Sequence, residues 1–253
     1  MKEETKRDRY VKESQYVDLY LNKVGVKNAL YVDIGCGNVQ NISKQRIDSS
    51  KQTLFFDYNP KNIALYDGWT QPNFKAIEAK VTPENVVELI KTNSNGEDFK
   101  FLDLDIDSYD FFVLKAILES MSPSVIVAEL NEKIPPPVEF SVKYSPDHSW
   151  DGSHFFGMSI SKCYKLLQEF GYEVVRLNFN NIHAVKKEFT DGMATYSDVE
   201  AYDIGYKTPR LNGEISQFDY NKNVDCLLTM EKDEMISFLH EHFAKYEGLY
   251  ELK

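Results

Sequence analysis

Apolar residues recur along the chain in two rhythms, and the alternation between them outlines the elements before any chemistry is considered. Tyr10, Val11, Tyr16, Val17, Tyr20 and Leu21 fall at helical spacing and Gly25 ends the segment, which predicts an amphipathic helix after a charged, frayed stretch over residues 1 to 9. Continuous apolar runs then predict a buried strand over Ala29 to Ile34 and a second over Thr53 to Phe56, which ends in Asp57 and is broken by Asn59-Pro60. A third run covers Phe74 to Ala79, after which Thr82 is placed to cap a helix with Pro83 at its first position and Val86, Val87, Leu89 and Ile90 on its buried face. Phe99 to Ile106 reads as a fourth strand. Phe111 to Leu118 gives the next helix its apolar side, Ser122-Pro123 closes it, and Val125 to Leu130 reads as a fifth strand.

Short strands alternating with helices predict successive right-handed βαβ units, and so an α/β fold with a doubly wound, mostly parallel sheet and helices on both faces. Ser159 opens a further helix bearing Ile160, Cys163, Leu167 and Phe170, with Gly171 as its C′ residue. Tyr172 to Leu177 and Ile182 to Val185 predict an antiparallel hairpin at the sheet edge. Between the fifth strand and Ser159 lies a long loop, 133–156, that contains Pro135-Pro136-Pro137, His148, Trp150 and His154; loops of that length in compact domains are commonly functional. Past Lys186 the chain turns polar until a last helix over residues 231 to 246, with Met235, Leu239, His242 and Phe243 on one stripe. The pattern reads as a single domain over 1–253, with an N-terminal helix to residue 28, a ligand-binding core over 29–186 and a C-terminal extension or lid over 187–253.

Composition narrows the class. The 253 residues are 42% hydrophobic, enough for a sizeable core. A formal charge of -11 opposes nucleic acid as a partner, because neutralising phosphates takes clustered Lys and Arg. Cys36, Cys163 and Cys226 are odd in number and far apart, which suggests neither a disulfide framework nor a Cys-x-x-Cys metal site and points to a reducing, cytoplasmic setting. No apolar stretch is long enough for a membrane span and no signal peptide is apparent; a homodimer fits but is not required.

The chemistry concentrates in Tyr31-Val32-Asp33-Ile34-Gly35-Cys36-Gly37-Asn38, where a strand runs into a turn with two glycines. Such glycines let the backbone turn tightly and approach a ligand, the arrangement of nucleotide-like cofactor sites. The dinucleotide fingerprint needs a third glycine where this chain has Gln40, which weakens the reading as a nicotinamide-dependent oxidoreductase. Asp57 follows Gly37 by 20 residues, at the end of the second strand, where an acid can bind both ribose hydroxyls.

An acid followed by x-Gly-x-Gly, here Asp33-Ile34-Gly35-Cys36-Gly37, resembles the first motif of the Rossmann-like S-adenosylmethionine (SAM)-dependent methyltransferases. Val39 stands where that family usually has a further glycine. The resemblance, over roughly residues 29 to 186, implies a Rossmann-like sheet and SAM held by Asp33, Gly35, Gly37 and Asp57, with Ala79 and Lys80 beside the adenine and Asp105 toward the methionine part. Leu104 to Asp110, Glu129-Leu130-Asn131 and Gly157-Met158-Ser159 look most like small-molecule enzymes that methylate sugars or secondary metabolites on oxygen, and the implied partner is a small polar acceptor such as a sugar, nucleotide-linked sugar or phosphorylated intermediate.

Asp105 and Asp107 alternate on the expected fourth strand, so their side chains are expected to share one face. With Glu129 or Asn131 they offer oxygen ligands to Mg²⁺ or another divalent cation; alternatively one of them takes the proton of an acceptor hydroxyl, or Asp107 only caps the next helix. His148 and His154 are candidate general bases in the long loop, while His183, His240 and His242 read as structural or exposed. Cys36 reads as a packing residue. A non-catalytic protein that binds SAM on the same fold is the remaining alternative.

Overall fold

The computed structural model describes residues 6–25, 27–37, 52–67, 73–215 and 219–253. Among them nine strands occur: β1 (Ala29–Ile34), β2 (Gln52–Asp57), β3 (Phe74–Glu78), β4 (Asp98–Leu104), β5 (Val125–Glu129), β6 (Phe140–Val142), β7 (Tyr172–Asn178), β8 (Asn181–Lys186) and β9 (Tyr250–Leu252). Seven of them form one sheet in the order β3-β2-β1-β4-β5-β8-β7. β1 to β5 run parallel, whereas β8 lies antiparallel to β5 and β7 antiparallel to β8, so the expected hairpin closes one edge. The order steps outward from β1 in both directions, the arrangement of a doubly wound, Rossmann-like sheet.

Strand alternation divides the core between the faces. Leu30, Val32, Ile34, Leu102, Leu104, Ile126 and Ala128 point to one side, where they meet the helices α3 (Val86–Asn93), α4 (Asp110–Ser120) and α5 (Ile160–Glu169). Ala29, Tyr31, Phe101, Val125 and Val127 point to the other, against Val17, Tyr20, Leu21 and Val24 of helix α1 (Lys6–Val24). Cys36 packs on that second side with Phe55 and Tyr66, beyond the short helix α2 (Pro60–Ala64). All six residues of β1 and of β2 are buried, which puts the turn that follows β1 at the rim of the core.

Several expected boundaries move. Helix α1 begins at Lys6, inside the stretch expected to fray. Thr82 does not cap α3. Residues 82 to 85 form a turn in which Asn85 Oδ1 accepts from the Thr82 N–H at 2.8 Å, and the helix starts at Val86. β4 ends at Leu104 rather than Ile106, because Asp107 adopts the left-handed conformation at φ 54° and the chain leaves the sheet. Asp107 does not cap α4 either; Tyr109 is its N-cap. Ser159, expected to open α5, is its N-cap, its side chain accepting from the Lys162 N–H.

The long loop is more ordered than its composition suggested. Its β6 pairs with the C-terminal β9, and Ile134, Val138, Phe140, Val142, Phe155 and Phe156 are all buried. The peptide bond between Pro136 and Pro137 is cis. The C-terminal part contains α6 (Asp198–Tyr202), a π-helical turn over Asp203–Lys207, α7 (Thr208–Leu211), a 3-10 stretch over Asp219–Thr229 and α8 (Lys232–His242). Phe243, just past α8, rests on Phe140 and Phe155, so the C-terminal segment packs on the long loop. No described helix is long and apolar enough to cross a membrane.

Candidate functional site

The carboxyl ends of β1, β2 and β4 open into a cleft of about 650 Å³. Gly35 sits at its floor with φ 84°, and a Cβ there would lie 1.6 Å from the carbonyl oxygen of Asp105, so no other residue fits. The Gly35 N–H and Cys36 N–H both donate to Phe56 O, at 2.8 and 3.2 Å, which fastens the turn to β2. Gly37, at φ 53°, donates its N–H to Asp57 Oδ2 at 2.9 Å. Asp57 also accepts from the Asn59 N–H at 2.7 Å and from Asn62 Nδ2 at 2.8 Å. Three of the roughly four acceptor positions of a carboxylate are thereby used, leaving one for a ligand hydroxyl. The helix expected after Gly37, together with Val39 and Gln40, lies outside the described residues.

Asp33, buried at the end of β1, lines the same cleft, as do Ala79 and Lys80 beyond β3. The Ala79 N–H donates to Asp57 O at 2.9 Å, so the third strand's end is tied to the second's. Lys80 Nζ donates to the carbonyl of Pro146 and joins this wall to the long loop. Six of the sequence-predicted ligand positions, Asp33, Gly35, Gly37, Asp57, Ala79 and Lys80, therefore border one space, and Asp105, whose backbone abuts Gly35, borders it with them.

At the other end of the cleft the structure gathers carboxylates. One oxygen from each of Asp105, Asp107 and Glu129 lies within 4.8 Å of the other two. The expected strand alternation is not what brings the two aspartates together, since both lie beyond the end of β4. The device is a turn that Asp110 grips: its Oδ1 accepts from the Ile106 N–H and its Oδ2 from the Ser108 N–H, both at 2.9 Å. Asp110 is fully buried, and burial pushes its carboxyl up to about 6 despite those two donors.

Glu129 is buried at the end of β5, and its carboxyl lies well above the ordinary range, first because of burial and then because Asp105 and Asp107 face it. Asn180, in the turn between β7 and β8, donates Nδ2 to Glu129 Oε1 at 2.8 Å, while Glu129 Oε2 has no hydrogen-bond partner among the described residues. The same hairpin puts Asn181 on the cleft wall, its Nδ2 3.2 Å from Glu13 of α1; Glu13 also meets the buried His183 Nε2 at 2.8 Å. No local pattern in the sequence marks Asp110, Asn180 or Glu13, because each acts through a fold-level contact.

The remaining candidates separate. His148 lines the cleft, half-buried, with Nδ1 2.6 Å from Ser108 Oγ, and burial lowers its pKa. Trp150 stands beside it, 42% exposed. His154 is not on the cleft wall: it is buried, stacked on His242 with ring centroids 5.2 Å apart and Nδ1 3.0 Å from His242 Nε2. Asn131 is fully buried, and its Nδ2 donates to the carbonyls of His154 and Phe156 at 2.8 and 3.0 Å, so that it holds the long loop. Its Oδ1 has no hydrogen-bond partner among the described residues. Cys36 is buried, among aromatic rings.

No protein-family model matches the sequence, and comparison with curated proteins finds no match. Among solved structures the chain is similar to magnesium protoporphyrin IX methyltransferase from Synechocystis PCC 6803 with bound SAH, at 14% identity and a TM-score of 0.42 over 70% of this chain and 84% of that one. It is also similar to a SAM-dependent methyltransferase from Clostridium acetobutylicum ATCC 824, at 12% identity and a TM-score of 0.44 over 70% and 92%. A SAM-bound amino pentose methyltransferase from Micromonospora echinaspora gives 11% identity and a TM-score of 0.42 over 70% and 91%. Likenesses of this order carry no conclusion about what this chain binds.

Proposed function

We propose that the chain is a SAM-dependent methyltransferase that acts on a hydroxyl group of a small polar, uncharged metabolite such as a sugar. The observation that carries this reading is the junction of Gly35, Gly37 and Asp57 at the carboxyl edge of the sheet, in one cleft with Asp105 and Asp107, whose carboxylates have that of Glu129 within 4.8 Å. The residues fit the cofactor: Gly35 has no room for a side chain, Gly37 is anchored on Asp57, and Asp57 retains an acceptor position for a ribose hydroxyl. When bound, SAM supplies a methyl group activated on a sulfonium.

The protein's own tasks are orientation, exclusion of water and removal of one proton. Asp33, Ala79 and Lys80 border the donor, and Trp150 and the long loop close the cleft on the acceptor side. Transfer of that methyl group from sulfur to the acceptor oxygen would release the hydroxyl proton, which His148 or one of the carboxylates would take. The three converging carboxylates also suit a hard cation such as Mg²⁺, and the unpartnered Glu129 Oε2 fits that donor set. A cation there would lower the pKa of a bound hydroxyl. The same crowd of negative charge disfavours a phosphorylated or nucleotide-linked acceptor, so a neutral one is favoured.

Isothermal titration calorimetry with S-adenosylhomocysteine (SAH) tests the reading. Sub-millimolar binding by the wild type is expected, weakened up to about 100-fold in Asp57→Ala, the loss of one hydrogen bond to a charged group. Tight binding of NADH without binding of SAH would overturn it in favour of a nicotinamide enzyme.

A further inference from the structure

The structure assigns Ser108 as a positioning residue that fixes the tautomer of His148, so that Nδ1 carries the proton and Nε2 offers its lone pair to the cleft. Ser108 is 4% exposed, and its backbone is fixed from two directions: its N–H donates to Asp110 Oδ2 at 2.9 Å, and its carbonyl accepts from the Gly157 N–H at 2.8 Å. Its hydroxyl is thus held by the scaffold rather than by its own rotamer alone. Two atoms of His148 lie within reach of that oxygen, Nδ1 at 2.6 Å and the backbone carbonyl at 3.4 Å.

A hydroxyl has one proton to give. If it were donated to Nδ1, Nε2 would carry the ring proton and the carbonyl would receive nothing from Ser108. If instead Nδ1–H donates to Oγ, the hydroxyl proton is free to turn to the carbonyl, and both contacts become hydrogen bonds. The second arrangement satisfies more of the polar groups in a partly buried place, where unsatisfied ones are costly. His148 Nε2 has no hydrogen-bond partner among the described residues, and the ring lies on the cleft wall. The ring's placement is secured separately, by the His148 N–H on Ser145 O at 3.0 Å and by an edge contact with Phe155. Burial, which lowers the His148 pKa, keeps the ring neutral at neutral pH, the state in which tautomers differ.

The assignment rests on the proposed reading in one respect: the exposed lone pair is what a base needs to take a proton from an acceptor hydroxyl. It can be tested without an acceptor. The full chain, labelled with ¹⁵N in its imidazoles, is examined by long-range ¹H–¹⁵N correlation at pH 8, with His148 assigned by the signals lost in His148→Gln. The wild type is expected to show Nδ1 protonated and Nε2 unprotonated, and Ser108→Ala to move His148 toward the opposite tautomer while the other four histidines keep their signals. Ser108→Thr, which keeps the hydroxyl, should retain the wild-type pattern. A wild-type His148 with its proton on Nε2 overturns the assignment whether or not the variants fold. A correct wild-type tautomer that Ser108→Ala leaves unchanged overturns the role of Ser108. Failure of SAH to bind would remove the methyltransferase reading and leave the tautomer result intact.

Discussion

The two ends of the cleft treat negative charge in opposite ways. At the end proposed for the donor, Asp57 is 6% exposed but accepts three hydrogen bonds from described residues, two of them from backbone N–H groups, so its charge is compensated by the protein itself. At the end proposed for the acceptor, Glu129 is similarly buried, at 8%, yet has one hydrogen bond among the described residues and faces Asp105 and Asp107. One carboxylate is built into the scaffold; the other is left for something to neutralise. A proton, a cation or a positively polarised substrate can do so, and that is the state in which a catalytic carboxylate is useful.

The sharpest way to break the contrast is at Gly35, which separates the two ends. Gly35→Ala puts a methyl group into the Asp105 carbonyl at a backbone conformation that alanine rarely adopts. Loss of SAH binding is expected together with destabilisation of at least about 4 kcal/mol, read from urea denaturation. Retention of wild-type stability would show that the turn has more room than the structure gives it.

A smaller and more discriminating effect comes from paired neutral isosteres. Asp57→Asn replaces an acceptor oxygen by an NH₂ group facing donors and should lower stability by about 1–3 kcal/mol at pH 8. Glu129→Gln should do the reverse. The Glu129 carboxyl is raised in the folded state, so between its unfolded and folded values the native protein holds more protons than the unfolded chain, and stability falls as pH rises through that window. Removing the charge therefore stabilises the fold at pH 8 by on the order of 1 kcal/mol for each pKa unit of the shift, a gain that vanishes near pH 4. The same variant should reduce methyl transfer at least tenfold, because the acceptor end loses its charge. Denaturation curves at pH 4 and pH 8 check the signs, and two changes of equal sign would erase the distinction between the ends. Asp110, pushed up to about 6, contributes a milder fall in stability over the same direction of pH.

The contrast also explains what could be read from the amino-acid order. The end proposed for the donor is local: a strand, a Gly-x-Gly turn and an acid 20 residues on, at the end of the next strand, form one short pattern, and the structure gathers those residues around one cleft. The five parallel strands and the edge hairpin were likewise legible from apolar runs and turn residues. The acceptor end is assembled from distant segments. Asn180 reaches Glu129 across 51 residues, and Ser108 meets His148 across 40. Spacing along the chain carries no trace of such contacts. Asp105 and Asp107 show the difference within a single motif: their convergence was expected, but from strand pleating, whereas the left-handed Asp107 and the buried carboxylate of Asp110 produce it. An acid in the first turn of a helix has an ordinary reading as a cap, and only the fold reveals that Asp110 holds the loop before it. Pairing of β6 with β9 is similar, since a three-residue strand has no periodicity to detect.

In the proposed reading donor and acceptor meet where the Gly35 turn abuts Asp105. A crystal structure of the chain soaked with SAH tests it most directly. The expected density has a ribose hydroxyl on Asp57, the adenine beside Ala79 and Lys80, and the sulfur directed toward the space bounded by Asp105, Asp107 and His148. SAH bound away from Gly35 and Asp57, or with its sulfur turned away from the carboxylates, would contradict it.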